Sequence, residues 1–114
     1  MNITSSLYII TAAGGNPTAI RVLPRTESPD WYAERGGILM AETAALGVEQ
    51  AGFLIPEESR FMMSGGEFCG NAARAAAMLL ARFMGAEEGA FQMSGYTGDI
   101  RSHVRWENET NANV

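Results

Sequence analysis

Lysine is absent from these 114 residues; all eight basic side chains are arginine. A pyridoxal-phosphate enzyme holds its cofactor as a Schiff base to lysine, so this chain cannot do so by itself. A P-loop is excluded on the same count, because its glycine-rich turn needs the lysine that follows. Cysteine occurs once, at Cys69, and cannot form a disulfide within the chain, which agrees with a reducing compartment. Histidine also occurs once, at His103, 34 positions from Cys69, so no metal site is expected. No apolar run exceeds the stretch around Ala75 to Ala81, far short of a membrane span. No basic-then-apolar secretory leader opens the sequence, and the cytoplasm is the expected location. Basic residues are also few: 8 against 13 acidic ones, a net charge of −5, which argues against nucleic acid and anionic membrane as partners.

What remains is a globular composition, 46% hydrophobic and 18% charged. It reads as a single domain over residues 1–107 with a polar, frayed tail over 108–114. Leu7 to Ala12 and Thr18 to Leu23 read as strands joined by the turn Gly14-Gly15-Asn16-Pro17. Ser28-Pro29-Asp30 supplies a capping hydroxyl, a proline at the first helical position and an acid in the first turn. The helix that follows is expected to run to Ala45 and stop at Gly47, weakened or bent by Gly36-Gly37. Ala51 to Ile55 and Arg60 to Met63 read as short strands around a Pro-Glu-Glu-Ser turn. Ala90 to Ser94 and Asp99 to Trp106 form a hairpin, with Ile100, Ser102, Val104 and Trp106 on one face.

Cys69 to Gly85 is rich in alanine, leucine, methionine and arginine, all strong helix formers, and Gly85 is a natural stop. Apolar residues cover nearly its whole circumference, broken only by Arg74 and Arg82, so the helix is expected to be enclosed. Its alanines make it thin. In a chain otherwise rich in strands the expected fold is α+β: a curved, mainly antiparallel sheet wrapped around one central buried helix.

The chemistry-bearing candidates gather where that helix begins. Ser64-Gly65-Gly66-Glu67-Phe68-Cys69-Gly70-Asn71 brings the only thiol to a helix amino terminus, where unpaired N–H groups and the positive end of the dipole converge. There a thiolate is favoured and a carboxylate can be held. The alternative is a small buried cysteine. Ser64 and Glu67 are candidates for shaping a pocket, or they tidy a glycine-rich loop. Gln50 either reaches the cleft or bonds backbone, the latter being favoured. Arg74, one turn into an apolar helix, is expected to pair with a carboxylate, and His103 to lie on the outer surface.

Glu67-Phe68-Cys69-Gly70-Asn71-Ala72-Ala73-Arg74 resembles the Cys-Gly-Asn-Gly/Ala-x-Arg signature around the first catalytic cysteine of the diaminopimelate-epimerase superfamily. Gly14-Gly15-Asn16, Glu49-Gln50-Ala51-Gly52-Phe53 and Gly95-Tyr96-Thr97-Gly98-Asp99 are similar to further landmarks of that family, in the same order. The run Met63 to Ala72, together with Glu49-Gln50-x-Gly-Phe, is most similar to the histidine racemases of opine-type metallophore biosynthesis. The resemblance implies a cofactor-independent racemase or epimerase in which two cysteines act on opposite faces of an amino acid, one removing the α-proton while the other returns one. Cys69 would be one acid/base, the Gly70 and Asn71 backbone with the Asn71 side chain would bind the carboxylate, and Asn16 would contact the amino-acid head. No cofactor is implied. The family's second cysteine, in a Cys-Gly-Ser-Gly motif of a second lobe, has no counterpart here. The expected partner is therefore a second copy or a separate chain carrying that lobe, the third explanation being a truncated product that retains only the fold. Two other readings stay open: a related isomerase of a non-amino-acid carboxylate, and a carboxylate-binding module without turnover.

Overall fold

Short runs of branched and aromatic residues, punctuated by glycine turns, supply the strands, and an alanine-rich helix gives them something thin to wrap. The computed structural model describes residues 6–107 and 112–114. In chain order the elements are β1 (Leu7–Thr11), β2 (Pro17–Val22), α1 (Pro29–Thr43), β3 (Gln50–Ile55), β4 (Arg60–Met63), α2 (Gly70–Met84), β5 (Glu88–Met93), β6 (Asp99–His103), β7 (Arg105–Trp106) and β8 (Ala112–Asn113). Strands β1 to β6 lie side by side in sequence order.

The fold is α+β, but the sheet is mixed rather than mainly antiparallel, and two helices pack on it instead of one. The hairpins β1–β2, β3–β4 and β5–β6 are antiparallel, whereas β2–β3 and β4–β5 are parallel. Each parallel join spans a helix, α1 for the first and α2 for the second. Strand–helix–strand crossovers take a right-handed sense almost without exception. The second crossover moves across the sheet in the same direction as the first, but its strands point the other way. The same handedness therefore sends α1 and α2 to opposite faces. Burial agrees. Ile20, Val22 and Leu54 pack with α2, whereas Ala19, Phe53 and Ile55, their neighbours along the same strands, pack with Tyr32 and Leu39 of α1. A strand buried on both faces reads as an unbroken apolar run, as β3 does.

The side bearing α2 is concave. Residues from both ends of the sheet reach this one helix: Ile10 of β1, Phe61 and Met63 of β4, Phe91 of β5 and Ile100 of β6. Six flat strands would span roughly 24 Å at about 4.8 Å per step. A helix is only about 10 Å across. The sheet accordingly curls into a half-barrel around α2. Alanine permits the close approach: Ala72, Ala75 and Ala76 are fully buried. Gly85 ends the helix in the left-handed conformation and bonds back to Ala81 O, as its position in the sequence implies.

The first helix starts as expected, with the Ser28 hydroxyl accepting from Trp31 N at 3.2 Å and Pro29 in the first turn. Gly36-Gly37 does not interrupt it. The two glycines have different reasons to be there. A Cβ on Gly36 would overlap the side chain of Ser64 and press on its Cα at 3.0 Å, whereas one on Gly37 would meet nothing. The expected long strand Asp99 to Trp106 forms as β6 and β7, divided at the buried Val104, where the pairing partner changes from β5 to β8. The Val104 N–H still extends the β5–β6 register, donating to Glu87 O at 2.7 Å. Of the expected frayed tail, residues 108–111 lie outside the described residues. Ala112–Asn113 pairs with Arg105–Trp106, and Val114 packs against the α2 cluster, so the chain is held down there. Among the described residues no helix is long and apolar enough to cross a membrane.

Adding one methyl group at each glycine of the pair separates the two explanations. Gly37→Ala should raise stability in urea unfolding by about 0.5–1 kcal/mol through helix propensity. Gly36→Ala should lower it by about 1–3 kcal/mol through overpacking against Ser64. Equal signs for the two variants would show that close packing does not govern this helix.

Candidate functional site

Strand polarity decides which residues meet at the start of α2. The helix returns antiparallel to β4, so its amino terminus sits at the end of the sheet where β2 and β3 begin. Thr18 and Gln50, near the starts of those strands, are register partners there. Cys69 is the N-cap of α2 in extended conformation, and its side chain caps nothing. Its S–H donates instead to Gln50 Oε1 at 3.1 Å. Gln50 is fixed from its other end, where Nε2 donates to the Thr18 hydroxyl at 2.9 Å. Thr18 is fully buried. It shares a face with Ile20 and Val22 and is the one hydroxyl on an otherwise apolar stripe of β2. The role favoured for Gln50 on sequence grounds, a bond to backbone, is not what forms: both its partners are side chains.

The same threonine gathers the second arm. Asn71 Nδ2 donates to Asn16 O at 2.8 Å and, more weakly, to Thr18 Oγ1 at 3.4 Å. Its Oδ1 is buried against Gly15 without a hydrogen-bond donor, and a Cβ on Gly15 would overlap it. Arg74 Nη1 donates to Ala13 O at 3.0 Å, so its partner is a carbonyl and not the carboxylate expected. These bonds dock the Gly14-Gly15-Asn16 turn onto the first turn of the helix. Of the resemblance-derived residues, Asn16, Cys69, Gly70 and Asn71 thus come together. The Asn71 amide is committed to holding the turn.

Ser64 and Glu67 lie differently. Ser64 points to Gly36 of α1, on the opposite face of the sheet from Cys69. The Glu67 side chain is exposed beside Gly65, and its contribution to order is its backbone oxygen, which accepts from the Ser94 hydroxyl at 2.8 Å. Ser94 in turn accepts from Met63 N at 2.9 Å. Gly95 then lies so close that a Cβ would strike the Phe68 and Glu67 backbone. The loop before Cys69 is therefore clamped from the β5–β6 side, and Phe68 stacks at a tilt on Tyr96 with ring centroids 5.4 Å apart. His103 is exposed beside Glu87, at 3.5 Å, far along β6.

The ground above the thiol is open. Cys69 is half-buried, Gly70 is exposed, and a Cβ on Gly70 would meet nothing within 4 Å. The three hollows described lie elsewhere: between α1 and β2, between the end of α2 and β5, and beside Trp106. The first intrahelical bond runs from Ala73 N to Cys69 O at 2.9 Å, which leaves the N–H groups of Gly70, Asn71 and Ala72 without acceptors inside the helix. A thiol, a carbonyl oxygen and N–H groups without acceptors inside the helix thus share one helix end, which is exposed at Gly70 and buried by Ala72. Sequence reasoning missed Thr18 and undervalued Gln50. The signal for Thr18 was a hydroxyl in phase with Ile20 and Val22.

A scan against protein-family models and a search of curated proteins found no match for the chain.

Removing the buried hydroxyl should expose how much of this end it holds. Thr18→Val leaves Gln50 Nε2 without its acceptor and should cost about 1–3 kcal/mol in urea unfolding. In the Gln50→Leu background the same change should cost less, with a coupling of at least about 0.5 kcal/mol. Strict additivity would show that the two side chains do not interact.

Proposed function

We propose that this domain supplies one thiol acid/base to a cofactor-independent racemase or epimerase of α-amino acids, with a second lobe supplying the other. The observation that carries the reading is Cys69 itself: the lone thiol stands half-buried at the tip of an enclosed helix, bonded to a side-chain carbonyl, beside backbone N–H groups that have no acceptor within the helix. The resemblance of residues 67–74 to the diaminopimelate-epimerase superfamily supports it, and points to histidine as the first substrate to try.

In this reading the substrate carboxylate lies on the N–H groups of Gly70 and Asn71, where the dipole also stabilises the negative charge that develops at Cα. The exposed Asn16 side chain is placed to meet the amino-acid head. When Cys69 acts as acid, its S–H leaves Gln50 Oε1 and passes its proton to Cα, while a thiolate on the opposite face has taken the original α-proton. When Cys69 acts as base the same exchange runs in reverse, and each turnover leaves the two sulfurs with their protonation states swapped. Gly70 is exposed and none of the hollows described adjoins Cys69, so in this reading the second lobe, from another copy or from a different chain, roofs the site and excludes water. A second reading, carboxylate binding without turnover, is favoured by that same openness.

Exchange of the α-proton with solvent deuterium, followed by NMR over L- and D-amino acids beginning with histidine, distinguishes the two. In an extract of source cells from which the chain's own gene has been deleted, exchange above the unsupplemented background should appear when the wild-type chain is added and be reduced by at least about 100-fold with Cys69→Ser. Exchange that persists with Cys69→Ser removes Cys69 from the chemistry. Saturable amino-acid binding by the purified chain with no exchange under any condition selects the binding module.

A further inference from the structure

The two edges of the half-barrel differ. The outer edge of β6 carries Asp99, Arg101 and His103, the charged side chains that ordinarily keep a sheet edge from pairing. The outer edge of β1 carries none: Leu7–Thr11 reads Leu-Tyr-Ile-Ile-Thr, and no charged side chain precedes Arg21. Nor does β1 contain a proline or face a covering strand among the described residues. Its side chains are apolar on both faces. Ile10 packs against α2, and Tyr8 meets Phe83 of the same helix at a ring-centroid distance of 6.1 Å. Leu7 and Ile9 point to the other face. Leu7, Tyr8 and Ile9 nevertheless remain 36–40% exposed. A strand apolar on both faces is composed like an interior strand of a sheet, not an edge.

The register shows which backbone groups are free. Val22 N donates to Ser6 O at 2.9 Å, so Ser6 and Val22 form a hydrogen-bonded pair. Two residues further along each strand, Tyr8 with Ile20 and Ile10 with Thr18 are pairs of the same kind. Leu7, Ile9 and Thr11 therefore direct their N–H and C=O groups outward. A two-fold axis through Ile9 would set Ile9 against Ile9 of a second copy and Leu7 against its Thr11, each pair exchanging two hydrogen bonds. Tyr8 would then stand beside Ile10 of the second copy on the helix side. The match is self-complementary and brings no charge against like charge, although each chain carries a net charge of −5.

We propose that β1 is a self-association edge: two copies join antiparallel through β1 into one continuous sheet. The axis stands normal to the sheet, so the two Cys69 sites lie at opposite ends of the joined sheet. This contact does not bring the two thiols together, and it is independent of the function proposed for Cys69. A racemase completed by a second lobe would present that lobe at the open helix end, not at β1.

Sedimentation velocity from about 1 to about 300 µM should show the 114-residue chain passing from monomer to dimer. Ile9→Lys, at an exposed position, should weaken the dimer by at least about tenfold while far-UV circular dichroism stays unchanged, whereas Arg101→Ala on β6 should leave it as it is. Amide exchange on the wild-type chain reads the same contact without any substitution. The N–H groups of Leu7, Ile9 and Thr11 should become protected as concentration rises, whereas those of Tyr8 and Ile10 are protected throughout. A chain that stays monomeric across the range overturns the proposal. So does a dimer in which the Leu7, Ile9 and Thr11 amides exchange freely, whether or not Ile9→Lys folds.

Discussion

The close fit between a thin helix and a curled sheet is the constraint from which the rest of this molecule follows. Ala72, Ala75 and Ala76 have no accessible surface. Larger side chains there would hold the strands off, and the sheet could not bring residues of both β1 and β6 to the same helix. Because α2 is gripped along its length, the position of its amino terminus is set by the sheet and not by the loop that precedes it. That terminus emerges beside the starts of β2 and β3, and Thr18 and Gln50 are consequently within reach of Asn71 and Cys69.

Small residues mark where one piece of backbone rides on another. Gly15 leaves room for the Asn71 amide, Gly36 for Ser64, and Gly95 for the backbone of Glu67 and Phe68. Together with the buried hydroxyls of Thr18 and Ser94 these contacts hold the loop before Cys69 from both sides. Polar groups in such places are mostly satisfied by one another, since an unpaired one costs on the order of 1–3 kcal/mol; Asn71 Oδ1, buried against Gly15, is the exception. The network at the helix end ties Cys69, Gln50, Thr18 and Asn71 together.

Local sequence grammar read the elements well wherever a single residue decides the matter. Ser28 and Pro29 start α1, Gly47 ends the turn that follows it, Gly85 stops α2, and Arg60–Met63 is a strand with the bounds expected. Grammar failed where distant parts compete. Gly36-Gly37 looked like a weak point in a helix because the partner that requires Gly36, Ser64, lies in the distant turn after β4. Arg74 looked like half of an ion pair because a carbonyl from the β1–β2 turn leaves no trace in the sequence around it. The alternation expected from Ile100 to Trp106 holds, but the strand changes partner from β5 to β8 at Val104, which no local pattern marks.

By itself the sequence determined that an α+β domain would form around the helix following Cys69, and that the lone thiol would sit at that helix's first turn, because helix propensity, caps and apolar periodicity act over a few residues. The tertiary structure alone decided the mixed sheet with a helix on each face, since parallel joins follow from crossovers that no local pattern encodes. It alone turned Ser64 away from the thiol and brought Thr18 and Gln50 to it, because strand polarity, not sequence distance, selects which ends of the chain meet.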